Sequence, residues 1–189
     1  MFYFHADRAN RLESGMIIAK EPYSIMKNES FISTLCPYFK DDFLQHLIAM
    51  QKENGQGLGL HAVQYIVQPK NLSVTQFLLE LFFEYVRFLR YSNKPSRFQS
   101  LFATEDKATA LKFMKQTNSD GQIFTVEGSG LFFKGDMNWL NNSEMEPSMQ
   151  MYRADSYWQG LKCSEDKSYI PFWEVLLELP VKILDKVDI

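Results

Sequence analysis

The sequence predicts an α+β fold, and two observations carry the prediction. One short aromatic run, Phe2 to His5, precedes a first half rich in helical periodicity, and the second half is mostly strand-like. Strand and helix patterns do not alternate, which argues against βαβ units and a parallel sheet. A length of 189 residues suits a single domain over 1–189 that buries its own core.

Taken in order, Phe2–His5 reads as a first strand, with Asp7 as N-cap of a short helical turn that holds Leu12 and stops at Gly15. Met16 to Ile18 is a second short extended piece. Residues 19–38 contain Pro22 and Pro37 without sustained period and read as loop. Phe43, Leu44, Leu47, Ile48 and Met50 recur at helical spacing over Asp41–Asn54, with Gly55 as the stop. The strongest helix starts at Ser73, with Gln76 completing a capping box, and Pro95 closes the segment. Gln76, Glu80, Glu84, Arg87 and Tyr91 form one narrow polar stripe on it, so most of its circumference is expected to be buried.

Phe98–Ala103 is a candidate strand, and Thr104 a candidate N-cap for a helix carrying Ala108, Leu111 and Met114. Ile123–Val126 and Leu131–Phe133, flanking Gly128 and Gly130, suggest a hairpin. A short helix is expected over Gln150–Trp158. Two strands, Phe172–Leu177 and Val181–Leu184, close the chain around Pro180. The helical layer is expected mainly from residues 40–92.

Composition narrows the function classes. Apolar residues at 46% and charged residues at 23% allow a packed core and argue against disorder. A net charge of −3 provides no whole-molecule attraction for nucleic acid. Cys36 and Cys163 lack metal-type spacing and read as reduced thiols, which fits a cytoplasmic setting, with export as an effector or toxin left open. Residues 1–20 show no basic leader followed by an apolar run. Phe77–Leu89 is interrupted by Glu80, Glu84 and Arg87, so it reads as a core helix and no membrane partner is expected. Asn28, Asn71 and Asn141 begin formal glycosylation triplets that carry no weight without a leader.

The common catalytic signatures are missing. No zinc-type histidine pair, phosphate-binding lysine loop or nucleophile elbow occurs, and His5, His46 and His61 are not spaced as a ligand set. Gly55-Gln56-Gly57-Leu58-Gly59 lacks the third glycine and the preceding strand of a dinucleotide fingerprint.

Three segments place polar groups at strand ends: His5-Ala6-Asp7-Arg8, then Ser96-Arg97-Phe98-Gln99-Ser100-Leu101-Phe102-Ala103-Thr104, and finally Phe172-Trp173-Glu174. In this order they resemble the ADP-ribosyltransferase superfamily, in particular its His-type branch. Its first strand carries His, its second an aromatic or hydroxyl element before a helix, and a late strand Glu. The H-x-D-R and S-R-F-x-S-x-F-A motifs are also similar to those of an uncharacterised bacterial family known only as a domain of unknown function.

The resemblance implies an ADP-ribosyltransferase-like split antiparallel sheet with a helical layer. It further implies NAD as substrate, and an acceptor, protein or nucleic acid, set by loops at 19–38, 55–70 and 134–150. Glu174 would stabilise the positive charge that develops on the ribose. His5 would donate to the ribose or to carbonyl groups, Phe102 would stack on nicotinamide, and Arg8 and Arg97 would hold the pyrophosphate. Ser96 and Ser100 belong to the second element, Asp7 would stand near the ribose, and Glu178 is the backup carboxylate. Phe102 replaces the usual tyrosine of the His-type branch, and Asp7 a small hydroxyl residue.

Each residue also has a plainer reading. His5 suits a satisfied core histidine, Arg8 a solvated helix residue, Ser96 and Arg97 a cap, and Phe102 the core. Glu174 resists one, because strand alternation puts it on a face with Phe172 and Leu176. A non-enzymatic nucleotide- or nucleic-acid-binding protein on the same fold is the alternative. Arg87, Arg90, Lys94 and Arg97, interleaved with Phe88, Tyr91 and Phe98, would be its contact surface.

Overall fold

A computed structural model describes residues 2–20, 41–50, 57–59, 74–116, 120–141 and 146–188. Two antiparallel sheets and helices make up an α+β architecture. The first sheet contains β1 (Tyr3–Asp7), β2 (Ile17–Ile18), β4 (Gln122–Gly128) and β7 (Val181–Val187), in the order β1-β4-β7-β2. The second contains β3 (Ser100–Ala103), β5 (Phe132–Asp136) and β6 (Trp173–Glu178), in the order β3-β6-β5. The helices among the described residues are α1 (Asp41–Ala49), α2 (Val74–Arg90), α3 (Lys107–Gln116) and α4 (Pro147–Gln159). None is long and apolar enough to cross a membrane.

Alternation along the strands decides what each sheet face buries. Leu101, Val175 and Leu177 of the second sheet pack with Phe124, Val126, Val181 and Ile183 of the first in one apolar cluster. The opposite face of β6 presents Leu176, which packs with Phe133, with Leu79, Phe83 and Val86 of α2, and with Ala154, Tyr157 and Trp158 of α4. α4 therefore shares the helical layer expected mainly from 40–92. Glu174 shares the face of Leu176, so the carboxylate points at the helices and not at water.

Several local expectations are corrected. β4 and β5 form no hairpin: β4 pairs with β1 and β7, while β5 pairs with β6. β6 and β7, the two strands around Pro180, likewise belong to different sheets. The chain changes sheets at both places, because the two sheets must face each other to bury their common core. Asp7 caps no helical turn; it ends β1 and its carboxylate gathers backbone N–H groups of a turn. Phe98–Ala103 divides into a 3-10 turn over Arg97–Gln99 and the strand β3. Asp106, not Thr104, caps α3 by accepting from Thr109 N at 2.8 Å. The expected loop at 19–38 (beyond residue 20), Cys36, the Gly55 stop and the Ser73 cap lie outside the described residues.

The middle of the polar stripe of α2 is buried, while Gln76 at its start is exposed. Glu80 and Glu84 are 4% and 0% exposed, and Arg87 is buried with them. Glu84 accepts from Arg87 Nη2 at 2.8 Å, from Ser96 Oγ at 2.8 Å, and pairs with His46 Nε2 at 3.0 Å. Burial works against the Glu84 charge, and the bonds from His46 and Arg87 outweigh it, holding its pKa below the ordinary value.

Candidate functional site

β1 and β3 are joined by one bridge, with Phe4 and Thr104 exchanging backbone bonds at 2.8 Å each way. A continuing antiparallel ladder would set Ala6 opposite Phe102. The strands part instead, and the His5 ring spans the gap, its Nδ1–H donating to the Phe102 carbonyl at 2.6 Å. A cavity of about 710 Å³ opens at this parting. That volume is within the range of small-molecule and cofactor sites, roughly 300–1,000 Å³.

The cavity brings together His5, Asp7, Arg8, Arg97, Ser100, Phe102 and Glu174, from β1, the turn after it, the 3-10 turn before β3, β3 itself and β6. Ser96 is not in its lining. It is buried as the cap of the 3-10 turn, accepting from Phe98 N at 3.1 Å and donating to Glu84. Ser100 lines the cavity, but its hydroxyl donates to the Ser96 carbonyl at 2.6 Å.

His5 differs from the donor expected of it. Burial lowers its pKa, opposed by the bond to Phe102, so the ring is held neutral. With Nδ1–H committed to the carbonyl, the neutral ring offers Nε2 as an acceptor. Asp7 is likewise occupied. Its carboxylate accepts from Ala9 N at 3.2 Å, Arg11 N at 2.7 Å and Leu12 N at 2.8 Å. Its role is to fold the turn on which Arg8 and Arg11 stand exposed.

Arg97 is not an open phosphate ligand. It is 3% exposed and forks onto Glu80, Nε to Oε2 at 2.7 Å and Nη2 to Oε1 at 3.1 Å. Its Nη1 donates to Tyr157 Oη at 2.8 Å and to Glu174 Oε1. The guanidinium also lies 4.7 Å from the Phe102 ring centre. Burial opposes the Arg97 charge, and the carboxylates of Glu174 and Glu80 overcome that, raising its pKa well above the ordinary value. Tyr157 Oη donates to Glu174 Oε1 at 2.7 Å. Burial and the same carboxylate keep this phenol protonated, although Arg97 pulls the other way.

Glu174 is 3% exposed, and both bonds it accepts go to Oε1. Oε2 accepts none from the described residues, and the side chain lines the cavity. The backup carboxylate, Glu178, is placed elsewhere, paired with Lys20 at 3.0 Å and accepting from Leu131 N at 3.2 Å.

Sequence reasoning missed Glu80, Tyr157 and Arg11. Glu80 stood in the polar stripe, but nothing local says that the stripe faces a strand. Tyr157 and Arg11 are reached only through packing. The proposed basic surface does not assemble: Arg87 pairs with Glu84, Arg97 with Glu80 and Glu174, and Arg90 with Asp155. Lys94 donates to the Trp158 carbonyl. Among the described residues no three His, Cys, Asp or Glu side chains are grouped to hold a metal ion.

A family model described as a protein of unknown function (DUF2441) matches residues 3–189, and the chain belongs to that family. No curated protein matches it.

Proposed function

We propose that this member of the family cleaves the nicotinamide–ribose bond of NAD and passes ADP-ribose to an acceptor, or to water when no other nucleophile is engaged. One observation carries the reading: the charge layout of the cavity that His5, Phe102 and Glu174 line from three strands. On its buried wall, Arg97 pairs with both Glu80 and Glu174. At the end of β1 stand the exposed Arg8 and Arg11, beside the backbone-bound Asp7. An inner wall that carries carboxylates and an outer turn that carries two arginines fit a ligand with a positively charged ring at one end and phosphates at the other. The parting of β1 from β3 supports the ADP-ribosyltransferase-like split sheet at the level of fold.

In this chemistry the C–N bond breaks with its electron pair going to the nicotinamide nitrogen. Positive charge moves onto the ribose, and an acceptor oxygen or nitrogen bonds to that carbon as it loses a proton. Glu174 would act through Oε2, stabilising the developing charge and holding a ribose hydroxyl. His5 Nε2 would accept from a second hydroxyl and fix orientation. Phe102, backed by Arg97, would stack on the leaving ring. Arg11 and Arg8 would face the phosphates in place of the buried Arg97.

A second reading, a nucleotide-binding protein without chemistry, draws on the engagement of Glu174 by Arg97 and Tyr157. Nicotinamide release from NAD, measured beside NAD affinity, separates the two. The native protein should release nicotinamide, and Glu174→Gln should bind NAD but release it at least about 10²-fold more slowly. Binding without release by the native protein would leave the second reading, and neither binding nor release would remove NAD altogether.

A further inference from the structure

Buried carboxylates in this chain differ in how their two oxygens are engaged. Asp136, fully buried, accepts from Asn138 and Phe172 on Oδ1 and from Cys163 and Tyr169 on Oδ2. Glu84, also fully buried, accepts from Arg87 on Oε1 and from Ser96 on Oε2. Both are ties, with each oxygen committed to holding segments together. Glu174 gathers Arg97 Nη1 and Tyr157 Oη on the same oxygen, Oε1. Among the described residues no donor reaches its Oε2, on a side chain that lines the cavity.

A single donor does not hold that orientation. The last torsion of a glutamate is broad and roughly two-fold, so a carboxylate gripped at one oxygen by Arg97 alone would swing and exchange its oxygens. Tyr157 removes that freedom from a second direction, because it projects from α4 while Arg97 comes from the turn before β3. Its phenol has one proton to give. Arg97 Nη1 donates to Oη at 2.8 Å, which directs that proton to Glu174 Oε1 at 2.7 Å. The ring is fully buried, with Trp158 at 4.9 Å and Phe133 at 5.3 Å between ring centres. As a neutral donor it orients the carboxylate without cancelling its charge.

We propose that Tyr157 is a positioning residue: its hydroxyl fixes the Glu174 carboxylate with Oε2 turned to the cavity, where it meets the charge that develops on the ribose. This deepens the function proposed above and rests on it for the identity of the ligand.

The test uses the purified full chain. In NMR of the native protein the Tyr157 hydroxyl proton should be protected from exchange, and the Glu174 carboxyl carbon should give one sharp resonance. Tyr157→Phe keeps the aromatic contacts and removes the hydroxyl. Its NAD affinity, by calorimetry, should stay within about twofold of native, while nicotinamide release from NAD slows about tenfold. Its Glu174 carboxyl resonance should shift or broaden as the carboxylate turns. A purely structural Tyr157 would lower stability and leave both that resonance and the rate per folded molecule unmoved.

A Tyr157 hydroxyl that exchanges as freely as an exposed phenol overturns the proposal without any variant having to fold. So does a loss of release in Tyr157→Phe that is matched by an equal loss of NAD affinity. A Glu174 resonance that moves in Tyr157→Phe while the native protein releases no nicotinamide upholds the positioning role and removes the transferase reading. Native release that is unaltered in Tyr157→Phe upholds the transferase reading and removes the positioning role.

Discussion

Tyr157 reaches the strand carboxylate only because residue 135 is glycine. Gly135 sits opposite Glu174 in the β5–β6 ladder. A Cβ on Gly135 would lie 2.4 Å from Tyr157 Cε2 and 2.7 Å from Cζ. The ring passes over the bare backbone and brings its hydroxyl between Arg97 and Glu174. Phe83 and Phe133 clamp it edge-on, each 5.3 Å between ring centres. Gly135→Ala therefore forces a fully buried aromatic aside, with an expected loss of about 1–3 kcal/mol from overpacking. Tyr157→Phe keeps the packing but strands Glu174 without its neutral donor, for about 1–3 kcal/mol. Urea unfolding measures both. A Gly135→Ala protein as stable as the native one would mean that the Tyr157 ring does not lie over the strand.

At the scale of the element, α2 acts as a rail of ionic side chains. Glu80 grips Arg97 and Glu84, one turn on, grips Ser96, so two adjacent residues of the turn before β3 are held from one helix face. Glu84→Gln breaks the pairing with Arg87 in a fully buried setting, with an expected cost of about 3–5 kcal/mol. Arg90→Ala, on the exposed last turn, should leave the urea midpoint unmoved, and equal effects from the two would refute the rail. The existence of α2 was legible in its sequence, because Phe77, Leu81, Tyr85 and Phe88 repeat at helical spacing. The surroundings of its polar stripe were not, since periodicity groups residues on a face without saying what covers it. The same limit explains the false hairpin at 128–131: Gly128 and Gly130 signal a change of direction, while the partner of each strand follows from distant burial. His5, Arg97 and Glu174 stood out because polar groups next to apolar strands need partners. The partners of Arg97 and Glu174, namely Glu80 and Tyr157, lie on helices whose sequence does not say which strand they face.

At the scale of the whole molecule, one backbone bridge among the described residues joins the edges of the two sheets, and His5 adds the next bond across the parting. That makes one ring both part of the cavity and a tie between sheets. Its pKa is lowered from 6.5, chiefly by burial. Below that value the unfolded chain takes up a proton that the folded chain resists, so this group's contribution to stability is present above 6.5 and is lost as pH falls towards the folded pKa. The carboxylates with depressed values, Glu84, Glu146, Asp136, Asp155 and Asp166, act in the same direction but lower on the scale, below their ordinary 4.5 or 3.8. Between about pH 7.5 and about pH 5.5, His5 should therefore account for a measurable part of any loss. His5→Gln can still donate an amide N–H to the Phe102 carbonyl, but it cannot titrate. Denaturant midpoints for the native protein should fall across that interval, and those for His5→Gln should fall less. Parallel curves for the two proteins would mean that protons reach His5 as easily in the folded state as in water, and the ring could then not serve as the neutral acceptor on which the proposed orientation of the ribose depends.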